Sequence, residues 1–430
     1  MLFNFLYLFV LALLSPWLLW RSLRTGRYRQ GLAAKLRGRV NVSPDARTTV
    51  WFHGVSVGEV HLLVTLVKAY RQQHLDHRIV ISTTTETGLT EAKAKFADCT
   101  VIAWPFDFTW AVANALDAVQ PSLIVLAEAE MWPNFLKAAA KRNVPVVVIN
   151  ARLSPRSFKR YQWVVGLARK YLFNRVEMIA VQSQDYADRF AALGLPTSKL
   201  RVTGSIKYDG ATANGVPPSW LSRDAKSSER SGLTLVAGST HSPEEEIVLA
   251  AFSQLRQRHT HLQLVLVPRH PDRFEEVARI VERCGIPFVR RSQITEPLRE
   301  FVPIILLDTV GELGAAWSIA DLGYVGGSLD GHRGGQSMIE PAGYGVPTVF
   351  GPHVWNFRDA SRRLLDAVGA IQIRSADELA GALESFIIDE AKRKAMGHAA
   401  KKLVQEQQGA TQRTVELLGT LLQSQSRQAA

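Results

Sequence analysis

The hydrophobic positions of this chain fall in short, unbroken runs separated by longer stretches with helical spacing. In the N-terminal half the runs are Thr49–Phe52, Arg78–Ser82, Thr100–Ala103, Leu123–Ala127, Val146–Asn150 and Met178–Val181. In the C-terminal half they are Leu233–Ala237, Leu262–Val267, Ile304–Leu307, Asp321–Val325 and Thr348–Phe350. A strand wetted on one face alternates apolar and polar residues, whereas an unbroken run marks a strand covered on both faces, as in a parallel sheet. Helical patterns such as Val60–Gln72 and Asn134–Arg142 lie between the runs, so the chain repeats a βα unit. The expected fold class is α/β, with doubly wound sheets.

Length decides how many. A chain of 430 residues is long for one hydrophobic core. The two βα series are interrupted by Gly210–Ser231, rich in Gly, Pro, Ser and charge, which reads as a linker. The expected organisation is an anchor and basic segment over residues 1–40, a Rossmann-like domain over 41–209, the linker at 210–231 and a second Rossmann-like domain over 232–395. A helical tail over 396–430, expected to pack back across the cleft between the domains, completes it.

The first residues break the βα pattern. Leu2–Trp20 carries no charged side chain, and nineteen residues at helical rise reach about 30 Å, the hydrocarbon thickness of a bilayer. Arg21, Arg24, Arg27, Arg29, Lys35, Arg37 and Arg39 follow at once. A cleaved signal would place its cations first and small residues at its end, the reverse of this order. The positive-inside rule puts everything after Trp20 on the cytoplasmic side of the membrane. Pro16 and the marginal length leave a monotopic insertion open beside a span. The net charge of +12 fits an anionic lipid surface; no basic-aromatic array or nucleic-acid motif is present, so nucleic acid is not an expected partner. Two distant cysteines, Cys99 and Cys284, match no metal or redox spacing, and neither a metal nor a cofactor is expected.

Doubly wound sheets bind ligands beyond the carboxyl ends of their strands, so the residues there are the candidates. After the first run, His53-Gly-Val-Ser56-Val-Gly58-Glu59 enters a helix. A carboxylate in a first helical turn is favoured in its ionised form and can accept a proton from a hydroxyl, although such a Glu also serves helix stability alone. The loop Ser82–Gly88, with Thr84, offers hydroxyls to a sugar or phosphate, or simply caps a helix. Glu130 precedes Trp132-Pro133, and Arg152 follows the fifth run, suited to an anion. Ser205 and Lys207 lie just before the linker.

In the second half, Gly238-Ser239-Thr240-His241 leads to Glu244, and Arg269 and His270 follow the next strand. Gly311-Glu312-Leu313 offers backbone N–H groups. The glycine-dense turn Gly326–Gly335, then Gln336, Ser337 and Glu340 at a helix start, is the geometry that holds a phosphate. Glycines let N–H groups approach an anion, and Glu340 could accept from ribose hydroxyls. His241 and His270 have no partners at metal-ligand spacing.

Two such domains describe the GT-B glycosyltransferase architecture. The stretches HGVSVGE, TTTETG, EAEMWPN, NARLS, GSIKYD, GSTH, VPRHPDRF, DTVGELG, GGSL and IEPAGYGVPTVFGPHVWNF, in this order over nearly the whole chain, resemble the membrane-anchored 3-deoxy-D-manno-octulosonic acid (Kdo) transferases of Gram-negative lipopolysaccharide synthesis. The resemblance implies transfer of Kdo from CMP-Kdo to the 6′-hydroxyl of the tetraacylated lipid A precursor, with inversion and no essential metal. It implies Glu59 as general base, with Glu130 and Arg152 as positioning groups. It also implies Ser56, Gly58, Thr84, Ser205, Lys207, Arg269, His270, Gly311, Glu312, Leu313, Gly335, Gln336, Ser337 and Glu340 as substrate contacts. One departure stands out: many members carry Gly-Gly-His-Asn where this chain has Gly334-Gly335-Gln336-Ser337. Gln336 cannot carry a positive charge, and the nearby Arg333 could replace it. A GT-B enzyme using a UDP- or GDP-sugar, and an inactive membrane scaffold of the same fold, are the alternatives.

Overall fold

A computed structural model of the chain describes residues 2–25, 32–43, 45–128, 130–211, 218, 220 and 232–429. Arg27 and Arg29 of the basic cluster, Ala129 and most of the expected linker lie outside them. The chain forms two units, Met1–Asp209 with Gln408–Ala430, and Gly210–Gln407.

The first unit opens with α1 (Leu2–Thr25) and α2 (Leu32–Arg37). It continues through β1 (Thr49–His53), α3 (Val57–Gln73), β2 (Arg78–Thr83), α4 (Glu86–Lys95), β3 (Thr100–Ala103), α5 (Thr109–Val119) and β4 (Leu123–Ala127). Then come α6 (Pro133–Lys141), β5 (Val146–Ala151), α7 (Pro155–Trp163), α8 (Val165–Tyr171), β6 (Met178–Val181), α9 (Gln184–Ala192) and β7 (Leu200–Val202). All pairs in its seven-stranded sheet are parallel, in the order β3-β2-β1-β4-β5-β6-β7. The unbroken runs are explained at once, because every residue of β1, β2, β4, β5 and β6 is buried. Trp51 is fully buried against Trp104 and Phe135 with ring centroids 5.3 and 5.5 Å away, and its indole N–H donates to Ser82 Oγ at 2.7 Å. That bond removes the penalty of burying a polar N–H with so large an apolar ring.

The second unit runs β8 (Thr234–Thr240), α10 (Glu244–Arg256), β9 (Gln263–Pro268), α11 (Phe274–Arg283), β10 (Phe288–Arg290), β11 (Ile304–Leu306) and α12 (Leu313–Trp317). It ends with β12 (Leu322–Val325), α13 (Ile339–Tyr344), β13 (Thr348–Phe350), α14 (Arg358–Asp366), β14 (Ala370–Gln372), α15 (Leu379–Ile388) and α16 (Glu390–Gln407). Its sheet is also parallel and seven-stranded, in the order β10-β11-β9-β8-β12-β13-β14. The expected tail is divided between the units. Helix α16 packs on α13, while α17 (Ala410–Ala429) belongs to the first unit, where Val415, Leu418 and Leu422 join the core beneath α3. Asp209 starts α17 by accepting the Gly409 N–H at 2.7 Å.

One glycine fixes the α13–α16 packing. A Cβ on Gly397 would lie 2.1 Å from the Gly345 carbonyl oxygen, a backbone atom that cannot rotate away. Gly397→Ala is therefore expected to cost about 3 kcal/mol through overpacking. In a unit of this size that lowers the melting temperature by about 6–12 °C in scanning fluorimetry. An unchanged melting curve would show that the two helices do not approach so closely.

Helix α1 forms where the apolar pattern placed it. Among the described residues, however, no helix is long and apolar enough to cross a membrane, so the expected span is not met. At the N-terminal end of α1, Asn4 and Tyr7 hydrogen-bond to the first unit at Thr109 and Asp107.

Candidate functional site

In a doubly wound sheet the crevice opens where the strand order reverses. In the first unit that point lies between β1 and β4, and in the second between β8 and β12. The segments following those four strands carry Glu59, Glu130, Gln336, Ser337 and Glu340, and the other candidates follow neighbouring strands.

Glu59 sits in the first turn of α3, directly after β1, and its carboxylate accepts the Val55 N–H and lies 3.4 Å from Ser56 Oγ. Gly54 makes room for it, since a Cβ there would meet the Glu59 Cβ at 3.0 Å. Gly58 is exposed and Glu59 half-buried, so this turn of α3 meets solvent. Burial pushes the Glu59 carboxyl up to about 7; the Val55 N–H opposes this, and the charges of Glu128 and Glu130 add to it. A carboxyl of that pKa changes protonation near neutral pH, as a general base must.

Glu128 is the first residue beyond β4. Its carboxylate lies 3.2 Å from an Arg152 nitrogen and 3.3 Å from Lys207 Nζ, so one acidic group gathers two of the expected cations. Glu128 and Asn150 both hold left-handed backbone, at φ 57° and 51°. For Glu128 that conformation is strained, and strained residues at strand ends concentrate at functional sites. Glu130 faces the Trp132 side chain, and its carboxyl is raised by burial and by Glu128. Asn150 Oδ1 accepts the Ile206 N–H at 3.1 Å, which ties the Ser205–Lys207 turn to the end of β5. Ser205 and Lys207 are thus brought to the carboxylates of the first unit. Thr84 Oγ1 is buried without a hydrogen-bond partner among the described residues, whereas Thr85 caps α4 by accepting the Gly88 N–H at 3.0 Å. The capping alternative for this loop holds at Thr85.

In the second unit the glycine turn differs from expectation. The fully buried Glu244 accepts the N–H groups of Gly327 at 2.6 Å, Ser328 at 2.9 Å and Leu329 at 3.1 Å. It also accepts the Tyr324 hydroxyl at 2.8 Å and the His241 N–H at 3.1 Å. The anion in this cradle is the protein's own carboxylate, so these N–H groups do not meet a phosphate. Gly335 N–H and Gln336 N–H close the turn by donating to the carbonyls of Gly327 and Gly326 at 2.7 and 3.0 Å. The start of α13, after Ser337, and the Gly311–Leu313 loop before α12 offer further amides. Gly311 has φ 91°, and a side chain there would enter open space.

Glu340, half-buried in the first turn of α13, is raised by burial and drawn back by Arg269 and a hydrogen bond with Ser337. Arg269 is exposed and His270 places its ring 5.1 Å from that of His241. Gln336 Nε2 lies 3.1 Å from His241 Nε2. With the amide as donor, the His241 proton is on Nδ1. Burial, followed by Arg333, His270 and Arg269, holds His241 down at about 4, so the ring is neutral. Arg333 is ion-paired with Asp330 and donates to the Ser242 carbonyl at 3.3 Å. Glu312 is not available as expected, because its carboxylate is held by Arg291 at 3.0 Å and by Thr309. Only its backbone, with that of Leu313, can face a ligand.

Two residues of these loops lie outside the sequence candidates. Glu128 forms an acidic pair with Glu130 at a strand end, where the sequence reading takes Glu130 alone as the candidate. Glu244 has no sequence signal beyond its place in a helix start, since Gly327 and Ser328, whose N–H groups it accepts, are more than eighty residues away in the chain.

Residues 24–210 match the family described as 3-deoxy-D-manno-octulosonic-acid transferase (kdotransferase). A 3-deoxy-D-manno-octulosonic acid transferase of Haemophilus influenzae is 35% identical over 94% of this chain and 94% of its own. Another from Bordetella pertussis is 31% identical over 96% of this chain and 98% of its own. Among solved structures, the UDP-GlcNAc 2-epimerase of Neisseria meningitidis bound to UDP-GlcNAc aligns with a TM-score of 0.57 at 11% identity, over 87% of this chain and all of that one. At that identity it shows the two-domain α/β fold alone.

Proposed function

Because this chain belongs to the 3-deoxy-D-manno-octulosonic acid transferase family and is a glycosyltransferase, we propose that it transfers Kdo from CMP-Kdo to the 6′-hydroxyl of the tetraacylated lipid A precursor, with inversion, in lipopolysaccharide synthesis. The observation that carries the mechanism is Glu59, a half-buried carboxyl poised near 7 beside the exposed Gly58, at the switch point of the first sheet.

Glu59 takes the proton of the acceptor hydroxyl as its oxygen bonds to the anomeric carbon of Kdo. The bond from that carbon to the phosphate oxygen breaks on the opposite face, and its electron pair leaves with CMP. Arg152 and Lys207, both on Glu128, give the first unit a fixed pair of cations for an anionic substrate group. In the second unit Arg269, with the amides of the Gly311–Leu313 loop and of the α13 start, balances charge on the departing phosphate. Glu340 accepts from the ribose hydroxyls. Gln336 acts through its bond to His241 in place of a charged histidine.

The chain works at the cytoplasmic face of the inner membrane, held there by α1 and by attraction between anionic lipid and the cations beyond it. Support comes from the exposure of Phe5, Phe9, Leu13 and Trp20 along α1. The test is mass spectrometry of the tetraacylated precursor incubated with the full chain and CMP-Kdo. The expected product carries added Kdo, with CMP released. An unmodified precursor, together with transfer from a UDP- or GDP-sugar, would replace this reading with its rival. No transfer from any donor would favour the inactive scaffold.

A further inference from the structure

Helix α1 exposes large apolar side chains along its length: Phe5 is 69%, Phe9 63% and Leu13 66% exposed. Its first turns are nevertheless bound to the first unit. Asn4 Nδ2 donates to Thr109 Oγ1 at 2.7 Å, and Asn4 Oδ1 accepts from Thr109 N–H at 3.2 Å and Asn134 Nδ2 at 3.0 Å. Tyr7 donates to Asp107 Oδ2 at 2.9 Å, and the same carboxylate accepts the N–H groups of Asn134 and Phe135 that start α6. Asp107 is buried, so this is a built polar latch and not a chance surface contact. The N-terminal end of α1 belongs to the first unit.

The chain returns to the same unit at α2. Lys35 Nζ donates to the Thr84 carbonyl at 2.8 Å, and Trp110 Nε1 to the Leu36 carbonyl at 2.8 Å. Between Thr25 and Leu32 there are seven Cα steps (32 − 25). Fully extended they reach at most about 25 Å. The hydrocarbon layer is about 30 Å thick. If α1 crossed it from a latched N-terminus, the chain could not come back in time to dock α2. Both ends of α1 therefore stay on one side.

We infer that α1 does not span the membrane but lies within the cytoplasmic leaflet, latched to the first unit through Asn4, Tyr7 and Asp107. The inference rests on the membrane attachment proposed above and fixes its topology. Trp20 with Arg24 stacked 4.6 Å over its ring forms a headgroup-level anchor at the far end. A second element extends the lipid-facing surface. Phe3 of α1 meets Tyr171 at the end of α8 with centroids 5.0 Å apart. One turn earlier on the same helical face Leu167 is 60% exposed, and Trp163, closing α7, is 90% exposed. Lys159, Arg160 and Lys170 accompany them in sequence, as expected of a surface that meets anionic lipid.

The test is protease protection of the full-length chain carrying a short N-terminal epitope tag, expressed in a Gram-negative host. The tag is expected to survive protease in spheroplasts and to be lost in inverted inner-membrane vesicles. Loss in spheroplasts overturns the in-leaflet arrangement while leaving attachment intact. Purified full-length chain is expected to float with vesicles of phosphatidylethanolamine and phosphatidylglycerol, at least tenfold more than with phosphatidylcholine alone. A soluble dimer or monomer that floats with neither overturns the topology and the attachment together. Trp163→Ser with Leu167→Ser is expected to reduce flotation several-fold without altering the melting curve, and unchanged flotation removes α7 and α8 from the surface.

Discussion

Glu59→Gln is expected to lower Kdo transfer by roughly 10²–10⁴-fold, the range for loss of a general base. The amide keeps the shape of the carboxylate but cannot take the acceptor's proton. CMP should still raise the melting temperature of the variant, because the nucleotide's contacts are proposed for the second unit. The pH dependence carries the sharper signature. The base acts only when ionised, and burial raises its pKa to about 7. Transfer by the wild-type chain should therefore fall about tenfold for each pH unit below 7 and level off above it. In the Gln variant this limb should vanish and leave a flat, slow rate. A variant that retains near-wild-type turnover, or the same limb in both proteins, would remove Glu59 from the chemistry. Glu130→Gln provides the comparison. It removes a neighbouring charge that helps to raise Glu59, so its limb should move to lower pH with only a modest loss of rate.

The rate argument uses a residue that sequence pattern could find, and the reason is topological. Strands buried on both faces leave an unbroken apolar signature, and a parallel sheet directs its chemistry to the residues just beyond them. Glu59, Arg152, Lys207, Arg269 and Glu340 all stand at such places. The strands that escaped notice, β7, β10 and β14, are three-residue edge strands carrying Arg201, Arg290 and Gln372, with burial on one side at most. Their pairing comes from a neighbour and not from their own pattern. The same limit explains the glycine turn. Its composition correctly announced a cradle of N–H groups, but composition cannot name the occupant. Which anion fills it depends on Glu244, brought from another strand end by the β8–β12 pairing. Pattern also placed α1 as a helix and overlooked the polar pair within it. Asn4 and Tyr7 read as minor interruptions of an apolar run until Asp107 and Thr109 are seen opposite them.

Glu244→Gln tests the cradle, and its expected effect is on the fold of the glycine turn before it is on rate. The carboxylate takes two donors on one oxygen, from His241 and Gly327, and three on the other, from Tyr324, Ser328 and Leu329. An amide replaces one of those oxygens by an N–H₂ group. Whichever way it turns, at least two buried donors then face a donor, at about 1–3 kcal/mol each. A loss of about 4 kcal/mol lowers the melting temperature of a unit this size by roughly 8–16 °C. CMP should recover little of that loss, because the turn that leads to Gln336 and the start of α13 no longer has its internal anion. Glu246→Gln is the control on the same helix. Its carboxylate is largely exposed and 3.9 Å from Arg283, so its removal should change stability by less than about 0.5 kcal/mol. Equal melting temperatures for the two variants would mean that Glu244 is not what holds the glycine turn. A large gap, with the loss confined to Glu244→Gln, would identify a buried carboxylate as the group that shapes the glycine turn from beneath.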